Sequence, residues 1–114
     1  MLIDMFEVPE DSKAAFLEHT RAARDVVRAQ PGFVEGSVYE AQSPDAQFHV
    51  ITQVVWDNEY AFEAAKAAVA EEFRRRGFKP AEIMKELNVK LTRAAYERTR
   101  YAAPAASSDR SADR

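Results

Sequence analysis

The sequence predicts an α+β chain in which helices cover one face of a four-stranded antiparallel sheet. Three observations predict it. Phe48-His49-Val50-Ile51-Thr52-Gln53-Val54-Val55-Trp56 is rich in β-branched and aromatic side chains and runs into Asp57-Asn58, a pair able to cap the Ala-rich segment that follows. Strand-like and helix-like segments follow one another in the order strand, helix, strand, strand, helix, short helix, strand. The 114 residues, 46% of them hydrophobic, suffice for one core and are too few for two.

The first strand is Met1 to Val8, ended by Pro9, which cannot continue a central ladder. Pro9-Glu10-Asp11-Ser12 supplies capping oxygens and early negative charge. Phe16, Leu17, Thr20, Ala23, Val26 and Val27 then recur at helical spacing until Gln30-Pro31-Gly32 stops the pattern. Phe33 to Glu40 is the second strand, and the polar turn Gln42-Ser43-Pro44-Asp45 joins it to the third as a hairpin. The second helix runs from about Glu59 to Arg76, with Phe62, Ala65, Val69 and Phe73 on one stripe and Gly77 in the stop position. Arg74, Arg75 and Arg76 complement the helix dipole there and read as a solvated helix end rather than a binding patch. Pro80 to Leu87 makes a short proline-started helix, and Val89 to Tyr96 a last strand that extends toward Tyr101. The domain is expected to span residues 1–101. The small, polar, charge-balanced segment 102–114 is expected to be a disordered tail.

Two right-handed crossovers over four strands give the split β-α-β, ferredoxin-like arrangement, which leaves one sheet face bare. The third strand is apolar on both parities, with Phe48, Val50, Val54 and Trp56 against Ile51 and Val55. The bare face therefore calls for a partner, and a homodimer with facing sheets is expected.

Composition excludes several function classes. Sixteen basic against nineteen acidic side chains give a net charge of -3, so a nucleic-acid partner is not expected. With no cysteine, disulfides, thiol nucleophiles and Cys-ligated metal centres are excluded. Two histidines thirty residues apart, His19 and His49, give no metal-ligand spacing. The start, Met1-Leu2-Ile3-Asp4, lacks a leader pattern, and no apolar run approaches the ~20 residues that span a bilayer; a soluble cytoplasmic protein without membrane contact is expected.

Gln30-Pro31-Gly32-Phe33 between a helix and a strand, followed by Val54-Val55-Trp56-Asp57-Asn58-Glu59-Tyr60-Ala61-Phe62, resembles the antibiotic biosynthesis monooxygenase domain of the dimeric α/β barrel superfamily. The resemblance covers roughly residues 1 to 100 and implies the fold and dimer inferred above. It also implies activities that range over cofactor-free oxygenation of polycyclic aromatics, quinol oxygenation and heme degradation, with many members of no assigned activity. For heme degradation the resemblance puts an asparagine at Met5, a helix tryptophan at Ala65 and the iron-binding histidine at Arg75. A protonated arginine does not ligate iron, so heme turnover by that route is not expected.

What remains is oxygenation of an electron-rich phenol, anthrone or quinol without a cofactor, which needs an apolar pocket, a base and oxyanion donors. His49 is the candidate base, since its ordinary pKa of ~6.5 lies near neutrality; a hydrogen-bonded strand residue is its other reading. Trp56 is the second catalytic candidate, stacking a flat substrate or holding an oxyanion through its indole N–H, or else anchoring the core. Phe6 and Phe62 are expected to line the pocket, and Tyr39, Arg93 and Tyr96 to place polar tips at its mouth. His49 and Trp56 lie seven residues apart, on opposite faces of a regular strand. A dimer that binds a small apolar ligand without catalysis stays open as the second reading.

Overall fold

The computed structural model describes residues 1–100. Four strands, β1 (Leu2–Glu7), β2 (Phe33–Glu40), β3 (Val50–Trp56) and β4 (Lys90–Ala95), form one sheet in the order β2-β3-β1-β4. Every neighbouring pair is antiparallel. Helix α1 (Lys13–Val27) joins β1 to β2 over β3, and α2 (Glu59–Arg76) with the short α3 (Pro80–Glu86) joins β3 to β4 over β1. This is the ferredoxin-like, split β-α-β order expected from the sequence.

The helix ends follow local chemistry. Asn58 sits in extended backbone and its Oδ1 accepts from the Ala61 amide at 2.8 Å, so the Asp-Asn pair caps α2 as expected. Gly77, at φ 71°, closes α2 in the left-handed conformation that favours glycine. The start of α1 differs from expectation. One 3-10 turn, Glu10–Ser12, precedes it, and Ser12 makes no side-chain cap. Its hydroxyl instead donates to the Leu87 carbonyl at 2.9 Å and ties α1 to the end of α3. The last strand stops at Ala95, short of the expected extension, with Tyr96 and Met1 exchanging backbone bonds of 2.7 and 2.8 Å. The expected tail, 102–114, lies outside the described residues.

Strand parity separates the two sheet faces. Leu2, Asp4 and Phe6 pair across β3 with Val54, Thr52 and Val50, and across β4 with Ala95, Arg93 and Leu91. These share the face on which Phe6 meets Phe16 of α1 at 4.8 Å between rings. The core is Phe6, Val8, Phe16, Val50 and Val89, with Leu17, Val38, Met84, Leu87 and Leu91 against it. The opposite parity carries Ile3, Met5, Tyr39, Ile51, Gln53 and Val55, and none of these is buried.

At the far end of the helix-covered face, the turn after α1 comes against α2 at Gly32. Its φ is +88°, and a Cβ built there would stand 2.5 Å from the Ala61 Cβ. The Pro-Gly stop after α1 therefore supplies both a left-handed turn and a close approach that a side chain would block.

Candidate functional site

The helix-covered face has two ends. At one, Phe6, Phe16 and Val50 are packed shut. At the other, Trp56 meets Phe33 edge-on at 5.8 Å and Phe62 of α2 at 6.5 Å, and all three rings stay partly exposed. A bulge at Val34 sets Phe33 opposite Trp56, and the Asn58 cap brings Phe62 back over the strand end. The result is an aromatic wall accessible to a flat ligand.

Between the two ends lies a charged pair. The Asp4 carboxylate accepts two bonds from Arg93, from Nε at 2.7 Å and from Nη2 at 2.8 Å. Asp4 is 9% exposed, whereas the Arg93 side chain is 56% exposed. The side-chain bond to Asp4 first, and its charge after that, raise the Arg93 guanidinium further above its already high range, so it is a permanent cation. Asp4 escaped the sequence reading. The signal was present: one acid on the inward parity of β1, between Leu2 and Phe6, and one cation on the inward parity of β4, beside Leu91. Only the β1–β4 register joins them.

His49 stands elsewhere. It precedes β3, and its Nδ1 accepts from the Val8 amide at 2.8 Å while its own amide donates to the Phe6 carbonyl. That lone pair is committed to a backbone amide, so the ring's remaining nitrogen carries the proton in the neutral form. Seven strand residues, about 23 Å, separate it from Trp56. His49 borders an open cleft of about 720 Å³ with Glu7, Glu10, Lys13, Ser43, Asn88 and Lys90. Its walls are mixed in charge, and Lys13 is already paired with Glu40 at 3.0 Å.

The structure thus brings Trp56 together with Phe62 and separates both from His49. Phe6, expected on a pocket wall, is 7% exposed and fills the core against Phe16. Tyr39 lies on the uncovered sheet face, 52% exposed, with its hydroxyl donating to Gln53 Oε1 at 3.2 Å. Tyr96 is exposed past the end of β4. Among the described residues no cluster of three His, Cys, Asp or Glu is placed to hold a metal ion. Of the positions that the resemblance ties to heme, Met5 is on the uncovered face, Ala65 is buried and Arg75 is exposed and paired with Glu72. All three C-terminal arginines of α2 are held this way, Arg74 by Glu71 and Arg76 also by Glu72, in keeping with a solvated helix end. No described helix is long and apolar enough to cross a membrane.

Comparison with known proteins agrees with this architecture. A candidate monooxygenase from Shewanella loihica PV-4 superposes with a TM-score of 0.67 at 25% identity, covering 88% of this chain and 93% of its own. SnoaB, a cofactor-independent oxygenase from Streptomyces nogalater, superposes at 0.57 with 22% identity over 86% of this chain and 92% of its own. The Rv0793 protein of Mycobacterium tuberculosis does so at 0.58 with 19% identity, over 86% and 94%. No curated protein matches the chain in sequence. The family model described as antibiotic biosynthesis monooxygenase matches residues 1–76, which hold β1 through α2 and the whole Trp56 wall. This chain therefore belongs to the antibiotic biosynthesis monooxygenase family.

Proposed function

We propose that the protein, as a homodimer of domains spanning residues 1–101, is a cofactor-independent monooxygenase of an extended aromatic or quinone-like molecule. One observation carries the reading: Arg93, anchored by Asp4, presents a fixed cation on the same sheet face as the Trp56, Phe33 and Phe62 wall. Four strand positions and two strand spacings put the two about 16 Å apart, a span suited to a polycyclic molecule rather than a single ring.

The chemistry needs no reductant. Loss of a proton to solvent gives a substrate oxyanion that Arg93 stabilises, and the electron-rich anion transfers an electron to dioxygen. Recombination forms a carbon–oxygen bond, and cleavage of the resulting peroxide leaves a carbonyl and one water. The substrate methylene supplies all four electrons, so CH2 and O2 become C=O and H2O. Trp56 and Phe62 hold the flat rings, and His49 has no part in the chemistry. Family membership and the oxygenase neighbour support the reading, and Arg75 in place of an iron ligand disfavours heme turnover. A second copy would cover Ile3, Met5, Ile51 and Val55, as an isologous interface allows.

One observation favours a binding protein without catalysis: neither histidine ring stands beside Trp56. Oxygen uptake separates the two readings. With anthrones, which carry the reacting methylene, as substrates and labelled dioxygen, the wild type should consume oxygen and place one labelled atom in the product. Arg93→Ala should lose about tenfold or more, since fixed oxyanion donors are worth that much, and His49→Ala should keep its rate. Aromatic binding without uptake would leave the binding reading.

A further inference from the structure

We infer that the outward edge of the Arg93 guanidinium is a recognition site for a planar two-oxygen anion at the rim of an aromatic ligand, with Asp4 as its positioning residue. The anion is a carboxylate or its vinylogous equivalent, an ionised hydroxyl peri to a carbonyl. This deepens the reading above by naming what the ligand must carry at that site.

A guanidinium has five N–H bonds in one plane. Asp4 takes the Nε–H and one N–H of Nη2, the side-on edge. Of the three that remain, one on Nη2 and one on Nη1 run parallel along the end-on edge, and none has a partner among the described residues. Two parallel donors at that spacing match two coplanar oxygens on one carbon or on neighbouring ring positions. The side chain is 56% exposed, so a ligand can reach that edge, while the Asp4 side chain is 12% exposed and stays fixed beneath it.

Asp4 also offsets the charge of Arg93. Recognition then rests on the fork of hydrogen bonds rather than on net positive charge. A lysine in place of Arg93 keeps the charge and the ion pair but loses the fork, which makes Arg93→Lys the decisive variant. It also leaves Asp4 a partner, so the fold should persist.

The test is calorimetric binding of 1-hydroxy-2-naphthoate, with 1-naphthol as the neutral partner of the same ring size. The wild type should prefer the acid. Arg93→Lys should weaken acid binding by about tenfold or more and leave 1-naphthol unchanged. Asp4→Asn, which keeps shape but no longer accepts both bonds, should weaken it by several-fold, with no further loss when added to Arg93→Lys. Equal binding of acid and naphthol by the wild type, or unchanged acid binding in Arg93→Lys, overturns the inference. Circular dichroism of each variant confirms that a loss is not unfolding. Acid preference without oxygen uptake would defeat the monooxygenase reading alone, whereas uptake without acid preference would defeat this inference alone.

Discussion

The two ends of the helix-covered face differ in how completely their side chains are used. Around Phe16 and Val50 every large side chain is spent on packing, at 1% and 0% exposure. Around Trp56, Phe33 meets the indole edge-on and Phe62 meets it at a tilt, all three rings stay partly exposed, and Arg93, farther along the same face, has donors to spare. The closed end holds α1 and α3 to the sheet through Phe16, Met84 and Leu87. The open end contributes less to stability and keeps surface for a ligand. Binding sites are drawn from such loosely packed regions because a filled core has nothing left to offer.

The sharpest way to break this contrast is to truncate one ring at each end. Phe16→Ala should cost about 3–5 kcal/mol in urea unfolding, the range for a fully buried phenylalanine. Trp56→Ala should cost only about 1–2 kcal/mol, because part of that ring already faces water, and should abolish aromatic binding. Equal costs would mean that the open end is core after all.

Next in size is the joint that holds the open end together. Gly32→Ala must adopt a left-handed turn, at about 1–2 kcal/mol, and must push a methyl into Ala61, at about 1–3 kcal/mol more. Thermal melts should show a loss of about 2–5 kcal/mol, larger than for Trp56→Ala although only one carbon is added.

The smallest effect sharpens the closed side. His19 stacks on Phe78 at 4.7 Å, with its Nδ1 buried and unpartnered among the described residues. Burial lowers its pKa below the ordinary 6.5. The folded state thus prefers neutral His19, and the unfolded chain takes up the proton first. Its contribution to stability is present above about pH 6.5 and is lost as pH falls through the depressed folded value. Unfolding of His19→Phe, measured against pH, should lack that part of the decline.

The sequence made the architecture legible because its signals are local. Asn58 and Gly77 act within one turn of the helix they bound, and the period of Val50 to Trp56 needs no partner to be read. The roles of individual polar groups were less legible because they are set by distant strands. Ser12 reads as a cap until Leu87, 75 residues on, offers its carbonyl. His49 reads as a free base until the Val8 amide takes its nitrogen, 41 residues away. Asp4 and Arg93 lie 89 residues apart, and neither chain segment alone signals the pair.

The most direct measurement is a nitrogen–proton NMR titration of the wild type with 9,10-anthraquinone-2-carboxylate, a tricyclic acid long enough to reach from the Arg93 fork toward the Trp56 wall. The Trp56 indole N–H comes from the sole tryptophan, and the Arg93 Nε–H is identified among the arginine signals by its loss in Arg93→Lys. Both should shift with one affinity, together with the Phe62 amide. Shifts gathered instead at Val8, His49 and Asn88, around the cleft beside His49, would place the ligand at the other end of the sheet and contradict the assignment of the site.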